Sequence, residues 1–194
     1  MFGVTQRLVE TLQAARPVEA VLPLLPAESG VYAWWHTPGA LPDVPGTPHP
    51  TDAVELLYVG IAPDEPKEGK PPSKSTLRSR VRENHLRNDS GKSTLRRALA
   101  AFLWQSHGWH PTQARTKVKL SLASERELTA WMRANLSLAF VEHPTPWSVE
   151  PGLIVAMRPP LNWKHNEGHP FRAELKRAGE AFRSAGRESA ERGA

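Results

Sequence analysis

The chain has 194 residues, 39% hydrophobic and 23% charged, the composition of a globular protein with enough apolar material for one domain's core. It has no cysteine, which excludes disulfides, thiolate nucleophiles and Cys-ligated zinc, and it has no run of about 18 apolar residues that would span a bilayer. The net charge of +5 is concentrated, with ten Lys and Arg between Lys67 and Arg97 against three acidic residues, as expected of a protein that meets phosphates or of a solvated helix face.

Val4, Leu8, Val9 and Leu12 stand at helical spacing and predict a first helix over 3–15, ending before Pro17. The segment has neither the charged n-region nor the small-residue cleavage site of a signal peptide, so a cytoplasmic location is expected. GVYAWWH at 30–36 and ELLYVGIA at 55–62 then read as strands from their β-branched and aromatic content. Alternation places Tyr32 and Trp34 on one face of the first strand, and Val31, Ala33 and Trp35 on the other. On the second it groups Leu56, Tyr58 and Gly60. If the strands pair antiparallel, the two tyrosines share a sheet face. The connection 37–54 is rich in Pro and Gly and too long for a tight turn, and a second such loop occupies 63–74.

From Ser75 the period becomes helical. Leu77, Val81 and His85 form a stripe whose other sides carry Arg78, Arg80 and Arg82. Leu95, Ala98, Leu99, Phe102 and Leu103 form a second amphipathic helix. KVKLSL at 117–122 reads as a strand, Ser124 and Glu127 as a capping box, and LSLAFVEH at 136–143 as another strand. A further helix is expected from Ser148 to the Pro159-Pro160 pair, and a last, alanine-rich one from Arg172.

Glu150 is the unusual residue of that penultimate helix. Leu153, Ile154 and Met157 follow it at helical spacing, so its carboxylate shares the apolar face and needs a partner, either helix N–H groups or a cation. Two more conspicuous signals read as ordinary. SGKST at 90–94 lacks the earlier glycine of a phosphate loop, with Leu86 in its place, and reads as a turn followed by a Ser93 or Thr94 helix cap. HNEGH at 165–169 holds two histidines at metal-compatible spacing, but Asn166, Gly168 and Pro170 make it loop.

The order Gly30-Val31-Tyr32, Tyr58-Val59-Gly60, Leu77-x-x-Arg80, Glu150-x-x-Leu153-Ile154 and Pro159-Pro160-Leu161-Asn162 resembles the GIY-YIG nuclease superfamily. LTAWM, HPTPW and NEGHPF resemble a less characterised bacterial branch of it. The resemblance implies an α+β fold, a small three-stranded antiparallel sheet flanked by helices. Residues 28–165 would be the catalytic domain, 1–27 an N-terminal helix and lead-in, and 166–194 a C-terminal helical tail. It implies a DNA endonuclease using one Mg²⁺ or Mn²⁺ and no small-molecule cofactor. Tyr32 or Tyr58 would help deprotonate the attacking water, Arg80 would stabilise charge on the phosphate, Glu150 would hold the metal, and Asn162 would fix local geometry.

The family's histidine stands four residues after the arginine, where this chain has Asn84, with His85 beside it. His85 could take that role only through a local helix irregularity. Lys70, Lys74, Arg78, Arg82 and Arg87 are the expected backbone contacts. Two other readings remain open: a module of the same fold that binds nucleic acid without cutting it, and a partner-binding domain whose seven tryptophans form a contact surface.

Overall fold

The computed structural model describes residues 2–70, 73–87 and 89–192. Pro71 and Pro72 of the second loop lie outside the described residues. Helix α1 (Phe2–Gln13) leads through the short β1 (Arg16–Pro17) and α2 (Val18–Val21) into β2 (Gly30–His36), whose seven residues are all buried. Burial on both sides follows from its position. β2 lies between β4 (Glu55–Ala62) and β7 (Leu136–Glu142), antiparallel to both, with Tyr32 opposite Gly60 on one side and Phe140 on the other.

The sheet has five strands in the order β1-β7-β2-β4-β3, where β3 is Thr47–Pro48. The expected three-stranded sheet is therefore its centre, extended at each edge by a two-residue strand that the Pro-containing segments RP and TP supply. Beyond α4 (Thr94–Leu103), a separate hairpin, β5 (Pro111–Ala114) with β6 (Lys117–Leu120), precedes α5 (Leu122–Asn135). The remaining elements are α6 (Glu150–Met157) and α7 (Arg172–Arg192).

Each face of the sheet carries its own core. Val31, Ala33, Trp35, Val59 and Ile61 pack against Leu8 and Leu12 of α1 and Leu153, Ile154 and Met157 of α6. Tyr32, Trp34 and Leu57 pack with residues of α4, α5 and α7, and Tyr58 lies against the same cluster. The tyrosines thus share a face, as the alternation predicts. Leu56 does not join them. The pairing slips between Trp34 and Trp35, opposite Tyr58 and Leu56, so Leu57 is an extra residue in β4 and Leu56 turns to the α1/α6 side.

Ser124 is not the cap of α5. The helix begins a turn earlier, where the Ser121 hydroxyl accepts from the Ser124 N–H, and Glu127 is free to accept from Trp109 Nε1 at 2.8 Å. Similarly, α6 begins at Glu150, after a 3₁₀ turn over Pro146–Ser148.

The Leu77 stripe brings the largest departure from regular structure. Leu77–Ser79 (α3) is α-helical, with Thr76 and Ser79 forming a reciprocal cap, and Arg80–His85 then winds as a π-helix. The Leu86 N–H reaches back five residues to the Val81 carbonyl at 3.1 Å. The segment is docked beside the sheet through Leu77 N–H to Glu28 O at 2.8 Å. Gly30 permits that docking, because a Cβ there would come 2.7 Å from Leu77 Cδ1 and would run into the Val141 carbonyl.

Candidate active site

The wider π turn puts His85 on the sheet side, buried among three aromatic rings. Ring centroids lie 5.3 Å away for Tyr32, 5.9 Å for Trp34 and 6.4 Å for Tyr58. Its Nε2 is 2.7 Å from the Tyr32 hydroxyl and its Nδ1 is 2.8 Å from Ser93 Oγ. Burial, followed by Arg80 and Arg96, lowers its pKa to about 3, so the imidazole is neutral at neutral pH. Burial also pushes the Tyr32 phenol well above its ordinary value; Tyr58 adds to that, Arg80 opposes it, and Asp64 and Glu150 add smaller upward contributions.

Gly60 opposite Tyr32 follows from the same packing. A Cβ at Gly60 would collide with the Tyr32 hydroxyl, so the glycine of the second strand makes room for the tyrosine of the first. Tyr58, diagonal to Tyr32, is also raised by burial, while the Thr94 hydroxyl pulls it back.

Arg80 begins the π turn and pairs with Asp64 at 2.8 Å. Burial disfavours its charge, but Tyr32, Asp64 and Tyr58 together outweigh that and leave it more firmly protonated than a free arginine. Glu150 is half-buried at the start of α6. Burial raises its pKa, Lys164 opposes, Asp64 and Glu65 add to the rise, and Arg80 opposes more weakly. Asn162 is buried and bonds both polar groups of Val59, its Oδ1 accepting from the N–H at 2.9 Å and its Nδ2 donating to the carbonyl at 2.8 Å. It thereby satisfies the edge of β4 beside Tyr58 as a neighbouring strand would.

Among the described residues no group of three or more His, Cys, Asp or Glu forms a metal cage. A half-buried carboxylate near Asp64 and Glu65 nevertheless suits a hard cation such as Mg²⁺, which is commonly held by one or two carboxylates, substrate phosphate oxygens and water. His165 and His169 lie in a turn, as their neighbours predict.

The expected backbone contacts divide into two groups. Lys70 and Lys74 are exposed. Arg78 donates to Leu25 O at 2.8 Å, Arg82 to Leu22 O at 2.5 Å, and Arg87 pairs with Glu83, so these three are engaged in holding the lead-in segment or their own helix. A second basic surface lies next to the 89–92 turn, where Arg97, Lys117, Arg183 and Arg187 line a depression of about 270 Å³.

Sequence reasoning misses Asp64, Ser93 as a histidine partner, and the buried pair of Arg96 and Glu125. Arg96 is fully buried, bonds Glu125 Oε2 at 2.6 Å and donates to the His85 carbonyl at 3.0 Å, which ties off the end of the π turn. A signal for that pair does exist: Arg96 precedes Leu99, Ala100 and Leu103 by three, four and seven residues, and Glu125 stands in the same relation to Leu128, Thr129 and Met132.

A scan of family models matched the GIY-YIG catalytic domain over residues 30–181. Searches of curated proteins and of solved structures each returned no match. The match begins at the buried glycine of β2, covers the tyrosines, arginine, glutamate and asparagine described above, and runs into α7. By that extent the chain belongs to the GIY-YIG catalytic-domain family, which is of endonuclease type.

Proposed function

We propose that the protein is an endonuclease that hydrolyses DNA phosphodiester bonds at a site made of Tyr32, Tyr58, Arg80, His85, Glu150 and Asn162. The observation that carries this reading is the Tyr32–His85 hydrogen bond of 2.7 Å, a buried phenol held by a neutral imidazole, with Arg80 and Glu150 among the charged groups that Tyr32 feels.

Tyr32, ionised, accepts a proton from the attacking water as the water oxygen bonds to phosphorus and the bond to the leaving oxygen breaks. Arg80 donates to a non-bridging oxygen, where charge builds in the transition state, after exchanging Asp64 for the phosphate. Glu150 would hold one Mg²⁺ or Mn²⁺, which when bound polarises the phosphate and supports the leaving oxygen. Asn162 keeps β4, and with it Tyr58, in register. Lys70 and Lys74, together with the depression lined by Arg97, Lys117, Arg183 and Arg187, carry the sequence-independent backbone contacts.

Incubation of the purified protein with supercoiled and branched DNA plus Mn²⁺ tests the reading. Nicking that Glu150→Ala and Arg80→Ala both abolish supports it. Binding without cleavage under every divalent ion tried would replace it with the non-cleaving module.

A further inference from the structure

The Tyr32, His85 and Ser93 side chains form a buried chain of hydrogen bonds whose direction the heavy-atom distances leave open. Two arrangements are possible; each leaves one hydroxyl proton outside the chain, Ser93's or Tyr32's, and the surroundings of that hydroxyl separate them. Ser93 caps α4, its Oγ accepting from the Arg96 N–H at 3.2 Å, and its only other partner among the described residues is His85 Nδ1 at 2.8 Å. Ser93 is 1% exposed. If His85 carried its proton on Nδ1, the serine oxygen would accept twice and its own O–H would have nowhere to go inside the core. With the proton on Nε2, the serine O–H donates to Nδ1, Nε2–H donates to the Tyr32 oxygen, and both donors are paired. The one proton then left over is that of the Tyr32 hydroxyl, whose charged neighbours are Arg80, Asp64 and Glu150.

We propose that Ser93 is a positioning residue that fixes His85 in its Nε2–H tautomer, so that His85 donates to Tyr32 and the tyrosine's own proton is left for the side where Asp64 and Glu150 act on it. His85 in this arrangement takes no proton during the reaction. It stabilises the oxygen of Tyr32 when that oxygen is ionised, as the proposed reaction requires. The bond direction stands independently of the nuclease reading, whereas its catalytic consequence rests on it.

The titratable and charged groups facing His85 are Tyr32 on β2, Tyr58 on β4, Arg80 on its own helix and Arg96 on α4, the last neutralised by Glu125 of α5. The imidazole stays neutral well below neutral pH, so one tautomer can be read directly between about pH 6 and 8.

The test is a long-range ¹H–¹⁵N correlation spectrum of the full chain, labelled with ¹⁵N-histidine, at pH 7 and without metal. His85 is assigned by the signal lost in His85→Gln. The expected result is a protonated Nε2 and a bare Nδ1; the reverse pattern overturns the proposal, and this measurement needs no Ser93 variant to fold. Ser93→Gly deletes the hydroxyl while leaving a tolerated helix N-cap residue, and it is expected to shift His85 toward the other tautomer; Ser93→Thr keeps the wild-type pattern. An unchanged tautomer in Ser93→Gly also overturns the role given to Ser93.

In cleavage assays Ser93→Gly is expected to lower kcat about tenfold or more with KM within about twofold, with recovery in Ser93→Thr. Wild-type protein that has the expected tautomer but cuts no DNA would refute the nuclease reading and leave the hydrogen-bond assignment intact.

Discussion

Arg80 is already paired in the free protein: its guanidinium lies 2.8 Å from the Asp64 carboxylate, on the loop that follows β4. Asp64 is 70% exposed and Arg80 only 16%, so the guanidinium is shielded while its acid stands in water. An exposed carboxylate holds its partner weakly, by about 1 kcal/mol or less. In the proposed reaction Asp64 gives way to the phosphate at little cost. Asp64→Asn is expected to tighten DNA binding by up to about fivefold at low salt, measured by fluorescence anisotropy. Weaker binding would mean that Asp64 contributes to the site in its own right.

Tyr32 and Tyr58 lie on one face, but only Tyr32 bonds His85. Tyr32→Phe is expected to lower kcat by about 10²–10⁴, the usual contribution of a positioned acid or base, with a smaller effect for Tyr58→Phe. Because burial holds the Tyr32 phenol well above its ordinary pKa, the reactive ionised fraction grows with pH throughout the neutral range. Wild-type rates should rise about tenfold per pH unit from about pH 7 to 9, and Tyr32→Phe should flatten that slope.

Gly60→Ala adds one methyl group, directly opposite the Tyr32 ring. The hydroxyl must move, so the His85 bond is expected to break and cleavage to fall by about a hundredfold or more, while circular dichroism stays that of the wild type. Retention of activity would mean that Tyr32 has room to adjust without cost.

Glu150, the proposed metal holder, also bears on stability. Its pKa is raised in the folded state, so folding is favoured while the carboxyl is protonated, below its unfolded pKa, and that advantage is lost as pH rises through the folded value. At pH 7 the bare carboxylate works against folding. Glu150→Gln is expected to raise Tm in metal-free buffer by up to about 3 °C, with the difference vanishing toward about pH 4. Adding Mn²⁺ should raise the Tm of the wild type and not that of Glu150→Gln.

The basic residues should separate by their structural partners. Arg78→Ala and Arg82→Ala remove bonds to the Leu25 and Leu22 carbonyls and are expected to lower Tm more than they weaken DNA binding. Arg183→Glu and Arg187→Glu, exposed at the depression beside the 89–92 turn, are expected to weaken binding and flatten its salt dependence with little change in Tm. Equal effects of both pairs on binding would remove the distinction.

Much of this site is legible because chemistry leaves a periodic trace. The shared face of the tyrosines follows from strand alternation, and Glu150 stands out as an acid on an apolar stripe. Alternation fails at Leu56, where an extra residue in β4 shifts the register, an event that short-range patterns do not encode. The short edge strands are invisible to it because two residues carry no period. The basic segment reads as one surface along the chain, yet Arg96 is wholly interior and Arg78 and Arg82 are tied to carbonyls. Charge counted in sequence does not tell which side of a helix bears it. Asp64 and Ser93 gain their roles from partners distant in the chain or from a turn of unusual width, and neither leaves a local mark.

That turn also bears on how such chains are recognised. A wider helical loop lets a spacing of five between arginine and histidine deliver the ring to a place that ordinary winding reaches with four. A pattern that insists on the shorter interval reads Asn84 at that position, although the imidazole of the next residue touches the phenol. Letters counted at a fixed interval miss a side chain that local winding carries, a single step along, onto the same face.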